Sequence, residues 1–120
     1  MYYYKVEILR VVDGDTVDVR MDLGFNVWHK CRVRLMGINA PESRTRNLEE
    51  KARGLAVKDW LINILESAQA EIEMQAHGGG KDGRVLGELY INEVNINQRM
   101  VDEGHAELYD GGKREKSGWR

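Results

Sequence analysis

The sequence lacks the features of a disulfide-bonded, membrane-spanning or strongly basic protein. Its single cysteine, Cys31, excludes an internal disulfide and a cluster of thiolate metal ligands, and we expect it to be a buried small apolar residue. No apolar run approaches the roughly 20 residues that span a bilayer. Lysine and arginine number 18 against 20 acidic residues, so the net charge of −2 gives no bulk attraction to polyanions.

The start of the chain also lacks the signature of a secreted protein. Residues 1–5 run directly into a strand-like pattern, without the charged start and apolar centre of a signal peptide. A length of 120 residues, with 42% hydrophobic and 32% charged residues, suits one compact globular domain over residues 1–120. We therefore expect a single-domain, cytoplasmic and monomeric protein.

Charge distribution is more informative than the net charge. Acid dominates between residues 88 and 110, whereas positive charge collects in three groups. These groups are Lys30, Arg32 and Arg34; Arg44, Arg46, Lys51 and Arg53; and Lys113, Arg114, Lys116 and Arg120. Both one basic face and solvated charge on all faces fit this pattern.

Alternating apolar residues predict a three-stranded meander at the start of the chain. Residues 3–12 alternate and are rich in aromatic and β-branched side chains, which indicates a strand. Asp13-Gly14-Asp15 is a tight-turn signal, and alternation resumes over residues 16–21. A turn near residues 22–24 then leads into a third strand predicted over residues 25–35.

The rest of the chain predicts two helices and two further strands. Asn47 caps a helix over residues 48–66, with Val57, Trp60, Leu61, Ile64 and Leu65 at the spacing of a buried face. Strands are expected over residues 71–75 and 84–91, and the glycine-rich residues 77–83 should form a mobile connection.

A second, short helix completes the predicted order of elements. Asn95 can cap it, and Gly104 stands just beyond its expected end. Three strands, a helix, two strands and a helix are the order of a five-stranded Greek-key barrel with one helix plugging an end. The expected fold class is therefore mainly β with helices.

A stiff turn follows the third strand and should position functional groups. It runs Arg34-Leu35-Met36-Gly37-Ile38-Asn39-Ala40-Pro41-Glu42. Gly37 supplies backbone freedom, whereas Pro41 fixes its own φ and pushes Ala40 towards extended geometry. A cation at Arg34 and a carboxylate at Glu42 should therefore emerge at one strand end. Taken alone, such a pair is more typical of a surface ion pair than of an active site.

Four stretches, in this order, resemble the staphylococcal nuclease (thermonuclease) family. They are Val12-Asp13-Gly14-Asp15-Thr16-Val17, the turn from Arg34 to Glu42, Lys81-Asp82-Gly83-Arg84, and Val94-Asn95 through Glu103-Gly104-His105-Ala106. The first two together are specific, and the order and separations match over roughly residues 5–119. The resemblance implies a barrel of the oligonucleotide-binding (OB) type with a shortened C-terminal helix. It also implies a calcium-dependent nuclease that cleaves phosphodiesters in DNA or RNA, with single strands preferred.

The resemblance also implies a metal site. Asp15 and Asn39 would hold one calcium ion through side-chain oxygens, Ala40 would add its main-chain oxygen, and Asp13 would support these ligands without touching the ion. Asn39 stands where active members usually carry Asp, and Ala40 stands where Thr is common. The neutral amide removes one negative charge, so metal affinity should be weakened. Without the second motif, Asp13 and Asp15 would be interpreted as turn formers.

The same resemblance assigns the reacting groups. Glu42 corresponds to the proposed general base, and Arg34 and Arg84 correspond to two phosphate-binding arginines. Lys81 and Tyr109 would contact the nucleic acid. Each has a plainer interpretation: Arg84 and Lys81 could serve solubility, and the register of Tyr109 is uncertain by one residue.

These roles fit the chemistry of phosphodiester hydrolysis. The substrate is an anion, and attack by water adds negative charge to its oxygens. A hard cation in an oxygen cage and paired guanidinium donors neutralise that charge, and a carboxylate can activate the water. The sequence therefore predicts a metal-dependent nuclease. The alternative is a nucleic-acid- or protein-binding module of the same fold that has lost efficient turnover.

Overall fold

A computed structural model of the chain describes residues 2–79 and 84–109, which form mostly strands with two helices. Lys81 and the expected C-terminal helix therefore lie outside the described residues. The elements are β1 (Tyr3–Asp13), β2 (Thr16–Asp22), β3 (Trp28–Leu35), β4 (Ile38–Asn39), α1 (Leu48–Glu66), β5 (Ile72–Gly79), β6 (Val85–Ile91), β7 (Val94–Asn95), α2 (Ile96–Asp102) and β8 (Glu107–Leu108).

The five long strands close into a barrel. β3, β2, β1, β5 and β6 pair side by side in antiparallel order, and β7 extends β6. β6 then returns to β3 in a parallel pairing that aligns Val33 with Val85 and Leu35 with Gly87. The predicted fold class, a five-stranded barrel of the OB type with two helices, is confirmed.

Strand alternation fills the barrel with aliphatic side chains. Val17 and Val19 of β2 and Val33 and Leu35 of β3 are each 0% exposed, because side chains two apart on a strand share a face. α1 covers the core with Gly54, Val57, Leu61 and Leu65. Trp60 and Ile64, also expected in the core, are only half-buried against it. Cys31 is likewise half-buried rather than buried.

Both predicted helix caps are confirmed. The Asn47 side chain accepts a hydrogen bond from the Glu50 amide at 3.0 Å, and the Asn95 side chain accepts one from the Gln98 amide at 3.0 Å. Each bond satisfies a backbone donor that has no partner inside the first helical turn. Gly104 has φ of +81°, which is the left-handed geometry expected just beyond the end of α2.

A buried asparagine ties α2 to the barrel. Asn97 is 2% exposed, and its side-chain oxygen accepts a hydrogen bond from the Leu89 amide at 3.1 Å. Its amide nitrogen donates to the carbonyl oxygens of Gly87 at 3.1 Å and Met36 at 2.9 Å. The start of the turn that follows β3 is thereby fixed relative to β6.

The predicted start of the third strand was wrong. β3 begins at Trp28 rather than at Phe25, because Gly24, Phe25 and Asn26 all have positive φ and form a turn. The turn is closed by backbone hydrogen bonds of 2.9 Å from Leu23 to Val27 and from Val27 to Gly24. Left-handed backbone cannot continue a strand.

The glycine-rich connection was also predicted too early. β5 continues to Gly79, which pairs with Val85 after an irregularity that follows Ala76. Ladder pairing to β6 overrides the low strand propensity of glycine here. β6 accordingly starts at Val85, one residue after the predicted Arg84.

Three two-residue strands were not predicted from the sequence. β4 pairs with β8, aligning Ile38 with Leu108 and Asn39 with Glu107, and β7 pairs with β6. Segments of two residues are too short to show alternation. Neither of the two described helices is both long and apolar enough to cross a lipid bilayer.

Candidate active site

Asp15 stands in the β1–β2 turn at one end of the barrel, and its carboxylate is held by neutral donors. Oδ2 accepts a hydrogen bond from the Ala40 amide at 3.1 Å, and Oδ1 accepts one from the Thr16 hydroxyl at 3.1 Å. The main-chain oxygen of Asp15 also accepts from the Leu35 amide at 2.8 Å. Asp15 is therefore joined to the backbone of two residues that are far from it in sequence, Leu35 and Ala40.

Arg34 lies near the end of β3 and joins this group. Its Nη2 donates to Oδ1 of Asn39 at 3.1 Å and lies 3.7 Å from Oδ2 of Asp15. Its Nη1 donates to the main-chain oxygen of Leu35 at 2.8 Å. The Arg34 and Asp15 side chains are 18% and 14% exposed, so the ion pair is shielded but open to a ligand. Arg34, Asp15 and Asn39 thus form one cluster.

The turn after β3 brings Tyr109 to the same place. Gly37 has φ of +82°, which reverses the chain, and its carbonyl oxygen accepts from the Tyr109 amide at 2.8 Å. The Tyr109 ring centroid lies 5.9 Å from the guanidinium carbon of Arg34. This separation is within the range of a cation–π contact. Tyr109 therefore flanks the cluster.

Asp13 supports the site from behind, through a residue that the sequence did not reveal. Its carboxylate accepts from the Gly14 amide at 3.2 Å and from the Ser43 amide at 3.2 Å. Ser43 is 3% exposed, so this bond fixes the chain just after Glu42. A lone serine beside a proline turn carries no signal of this role.

Glu42 lies between two buried residues and is itself exposed. Pro41 and Ser43 are buried on either side of it, and its amide donates to Oε2 of Glu50 at 3.2 Å. Gly54 of α1 lies directly against it, because a Cβ at that position would be 2.3 Å from the Glu42 carbonyl oxygen. The signal for this contact was available: a glycine inside a helix usually marks a close approach.

Arg84 immediately precedes β6. The parallel register aligns Leu86 with Arg34, and the neighbouring Val33 and Leu35 face the core. Because side chains two apart share a face, alternation carried one residue beyond β6 puts Arg84 on the same outer face as Arg34. The barrel closure therefore puts Arg84 on the face that carries Arg34, two residues before the position that pairs with Arg34.

The oxygen donors of the cluster suit a hard cation in type, although only one of them is charged. No group of three or more His, Cys, Asp or Glu side chains that could hold a metal occurs among residues 2–79 and 84–109. A carboxylate offers about four lone-pair sites, and the Ala40 and Thr16 donors occupy two of those on Asp15. Asn39 is 6% exposed, and its amide oxygen already accepts from Arg34. A cation would share these oxygens with the guanidinium.

The electrostatics of the adjoining β2–β3 face are set by an ion pair. Arg32 donates to Asp18 through Nε at 2.8 Å and Nη2 at 3.2 Å. This hydrogen bond is the main cause that holds the pKa of Asp18 below its ordinary value, with the charge of Arg32 adding to it. The same pairing raises the pKa of Arg32.

Comparison with known proteins decides the family. A family model described as staphylococcal nuclease homologue matches residues 32–118. The chain belongs to the staphylococcal nuclease family. That match covers the turn from Arg34 to Glu42, which carries most of the cluster described above.

Curated relatives of this nuclease-family chain are distant. It is 30% identical to protein ParB of Escherichia coli over 112 residues, covering 86% of the chain and 56% of that protein. It is 30% identical to micrococcal nuclease of Shigella flexneri over 115 residues, covering 88% and 59%. It is 27% identical to thermonuclease of Staphylococcus intermedius over 99 residues, covering 82% and 56%. The chain spans about half the length of the curated relatives that it matches.

Proposed function

We propose that this protein is a metal-dependent nuclease that hydrolyses phosphodiester bonds of DNA or RNA by attack of water. The main support is that Arg34, Asp15 and Asn39 lie together at one end of the barrel. The Nη2 atom of Arg34 lies 3.7 Å from the Asp15 carboxylate and 3.1 Å from the amide oxygen of Asn39. Relatives named thermonuclease and micrococcal nuclease support the same reaction class. A preference for single strands, a monomeric state and a cytoplasmic location stay predictions.

Arg34 is held by two neutral oxygens, from Leu35 and Asn39, and lies 3.7 Å from the Asp15 carboxylate. Its Nη1 is fixed on a main-chain oxygen, while Nη2 faces the amide oxygen of Asn39. A phosphate oxygen forms a stronger, charge-assisted bond than an amide oxygen does. Substrate can therefore displace Asn39 without reorienting the guanidinium. Removing one such preorganised donor typically costs about 3 kcal/mol of transition-state stabilisation. Arg84, on the same face, would supply the second set of donors.

Asp15, Asn39 and the main-chain oxygen of Ala40 are the groups that would hold a cation. Calcium is the ion that the family resemblance implies, and it prefers such oxygen ligands. When bound, it would neutralise charge on the phosphate oxygens. Asp15 keeps its orientation through Ala40 and Thr16, so it does not need to reorganise on binding. With a single full negative charge in the set, affinity should be lower than in a two-carboxylate site.

Glu42 is proposed as the general base. It emerges from a segment that Asp13 fixes at Ser43 and that Gly54 contacts directly. Such anchoring fixes the backbone from which the exposed Glu42 carboxylate projects. A base positioned on the attacking water contributes about 10²- to 10⁴-fold in rate.

The second candidate function is a binding module that has lost efficient turnover. The neutral Asn39, whose oxygen is occupied by Arg34, favours it. Glu42 argues against it, since an exposed acid beside a bound polyanion would weaken binding. The nuclease hypothesis explains Glu42, and Asn39 is compatible with it because calcium also accepts amide oxygens as ligands.

A cleavage assay separates the two functions. The full chain is incubated with labelled single-stranded DNA and single-stranded RNA, with calcium and with chelator, and cleavage rates are compared for the native protein and Glu42→Gln. Glu66→Gln, which removes an exposed acid at the end of α1, is the matched control. We expect cleavage only with calcium, and a rate about 10²-fold or more lower for Glu42→Gln alone. Nucleic-acid binding without any cleavage would support the binding module.

A further inference from the structure

The outer face of β3 carries cationic and aromatic side chains that start at the candidate site. Val33 and Leu35 face the core at 0% exposure, so the side chains at alternate positions point outward. These are Arg34, Arg32, Lys30 and Trp28. Two residues of strand advance about 6.6 Å, so this β3 stripe extends roughly 20 Å from the site.

Trp28, at the far end of the β3 stripe, is an exposed aromatic ring that packs against Arg20. The guanidinium carbon of Arg20 lies 4.6 Å from the ring centroid. Arg20 is in turn held by Glu7, whose Oε1 accepts from Nη2 at 2.7 Å. Trp28 nevertheless remains 40% exposed. A ring that is backed on one side and open elsewhere can accept a flat ligand with little further ordering.

The middle of the β3 stripe carries Lys30, an exposed cation that lies outside the ion pairs of its neighbours Arg20 and Arg32. Lys30 is paired directly opposite Arg20 in the β2–β3 ladder. Like charges at directly opposed positions repel, and the Glu7 carboxylate paired with Arg20 offsets part of this repulsion. Among residues 2–79 and 84–109, no acidic side chain forms an ion pair with the exposed Lys30.

Arg32, between Lys30 and Arg34, forms an ion pair with Asp18, but a phosphate can replace the Asp18 carboxylate in this pair. The Arg32 and Asp18 side chains are 46% and 26% exposed. Ion pairs at this exposure contribute little to stability, and a phosphate competes well for a guanidinium. The Asp18 carboxylate therefore reduces the affinity of the β3 stripe for anions without removing its binding capacity.

We propose that the β3 stripe binds the single-stranded nucleic acid that extends from the scissile bond. Phosphates would lie on Arg32 and Lys30, and a base would stack on Trp28. A single strand is the occupant that offers repeated anions and flat rings together, which is what cations in a row ending at an aromatic ring can bind. At the stacked rise of about 3.4 Å per nucleotide, 20 Å corresponds to at most about six nucleotides. The role of the Arg34 end rests on the proposed nuclease function.

Binding in chelator tests the β3 stripe separately from cleavage. Fluorescence anisotropy measures the affinity of the full chain for labelled oligodeoxythymidylate and oligouridylate of 3 and 12 nucleotides at several salt concentrations. The variants are Lys30→Gln, Trp28→Ala, Trp28→Phe and Asp18→Asn. Lys58→Gln removes a cation on α1, beside the cavity that α1 forms with β1, and is the matched control. Thermal unfolding of each variant verifies that it is folded.

The β3 stripe predicts different effects for each change. For the 12-nucleotide strand, log affinity falls as log salt concentration rises, and Lys30→Gln should make this slope less steep by about 0.7. Trp28→Ala should weaken binding of that strand at least about fivefold, whereas Trp28→Phe keeps a stacking surface and most of the affinity. Asp18→Asn should tighten binding, because it removes an acid and frees Arg32. Losses should be smaller for 3 nucleotides than for 12.

Three results would overturn the inference. The first is a loss of affinity in Lys30→Gln and Trp28→Ala that is no greater than in Lys58→Gln. The second is an equal loss of affinity for the 3- and 12-nucleotide strands. The third is an unchanged or weaker affinity in Asp18→Asn. A length-dependent effect in chelator, together with no cleavage in calcium, would support the β3 stripe while refuting the nuclease function. Calcium-dependent cleavage, together with affinity losses that do not depend on oligonucleotide length, would support the nuclease function and refute the β3 stripe.

Discussion

Gly54 tests the idea that α1 positions the general base. In most helix interiors, replacing glycine with alanine stabilises the protein by up to about 1 kcal/mol. At Gly54 an added Cβ would lie 2.3 Å from the Glu42 carbonyl oxygen and 2.6 Å from the Ser43 amide nitrogen. Both atoms belong to the backbone and cannot rotate away. We therefore expect Gly54→Ala to displace the segment that carries Glu42.

The size of the displacement follows from the contact. Ordinary contact with a Cβ begins near 3.4 Å, so the Glu42 backbone must move by about 1 Å. Overpacking of this kind typically costs about 1–3 kcal/mol, which offsets the propensity gain and leaves Gly54→Ala between neutral and about 2 kcal/mol less stable. A misplacement of about 1 Å in a catalytic group can lower the rate about 10²-fold. Catalysis should therefore suffer much more than stability.

Two measurements on one sample examine this prediction. Urea unfolding gives the free energy of unfolding, and single-stranded DNA cleavage in calcium gives the rate. Ala56→Gly, at an exposed position of the same helix, is the control, and we expect it to lose about 1 kcal/mol of stability while keeping its rate. If Gly54→Ala is instead stabilised by about 1 kcal/mol and cleaves at the native rate, the close approach has no functional role and the argument fails.

Three further substitutions probe the metal set, the buried amide and the surface ion pair. Asn39→Asp adds a second carboxylate, so the calcium concentration for half-maximal cleavage should fall; an unchanged value would exclude Asn39 as a ligand. Asn97→Ala leaves a buried backbone donor without its partner and should lower the free energy of unfolding by about 2–3 kcal/mol in urea, with a similar m value. Asp18 has a folded-state pKa below its ordinary value of 3.8, so its pairing stabilises the fold above that pH and is lost as the pH falls through the folded-state pKa. Arg32→Gln should therefore lower the urea midpoint at neutral pH but not in strong acid, and a pH-independent difference would contradict this.

Local chemistry explains which parts of the fold were predictable. The Asp13-Gly14-Asp15 turn, the Asn47 cap of α1 and the end of α2 at Gly104 depend on residues within a few positions of each other. Errors arose where distant pairing or backbone geometry decided. The third strand excludes Phe25 because three successive residues adopt positive φ. β5 extends to Gly79 because Gly79 pairs with β6.

The sequence by itself determined the order of the five long strands and two helices, both helix caps, and a family resemblance that implies a set of reacting side chains from Asp15 to Arg84. Only the tertiary structure decided how these groups meet. The parallel pairing of β3 with β6 brings Arg84 to the face of Arg34, and the Ala40 amide orients Asp15 across the barrel end. Gly54 lies against the segment of Glu42, and the β2–β3 register sets Arg20 opposite Lys30. These contacts join residues that are remote along the chain, and residue type and spacing do not specify which remote partners become neighbours until the barrel closes.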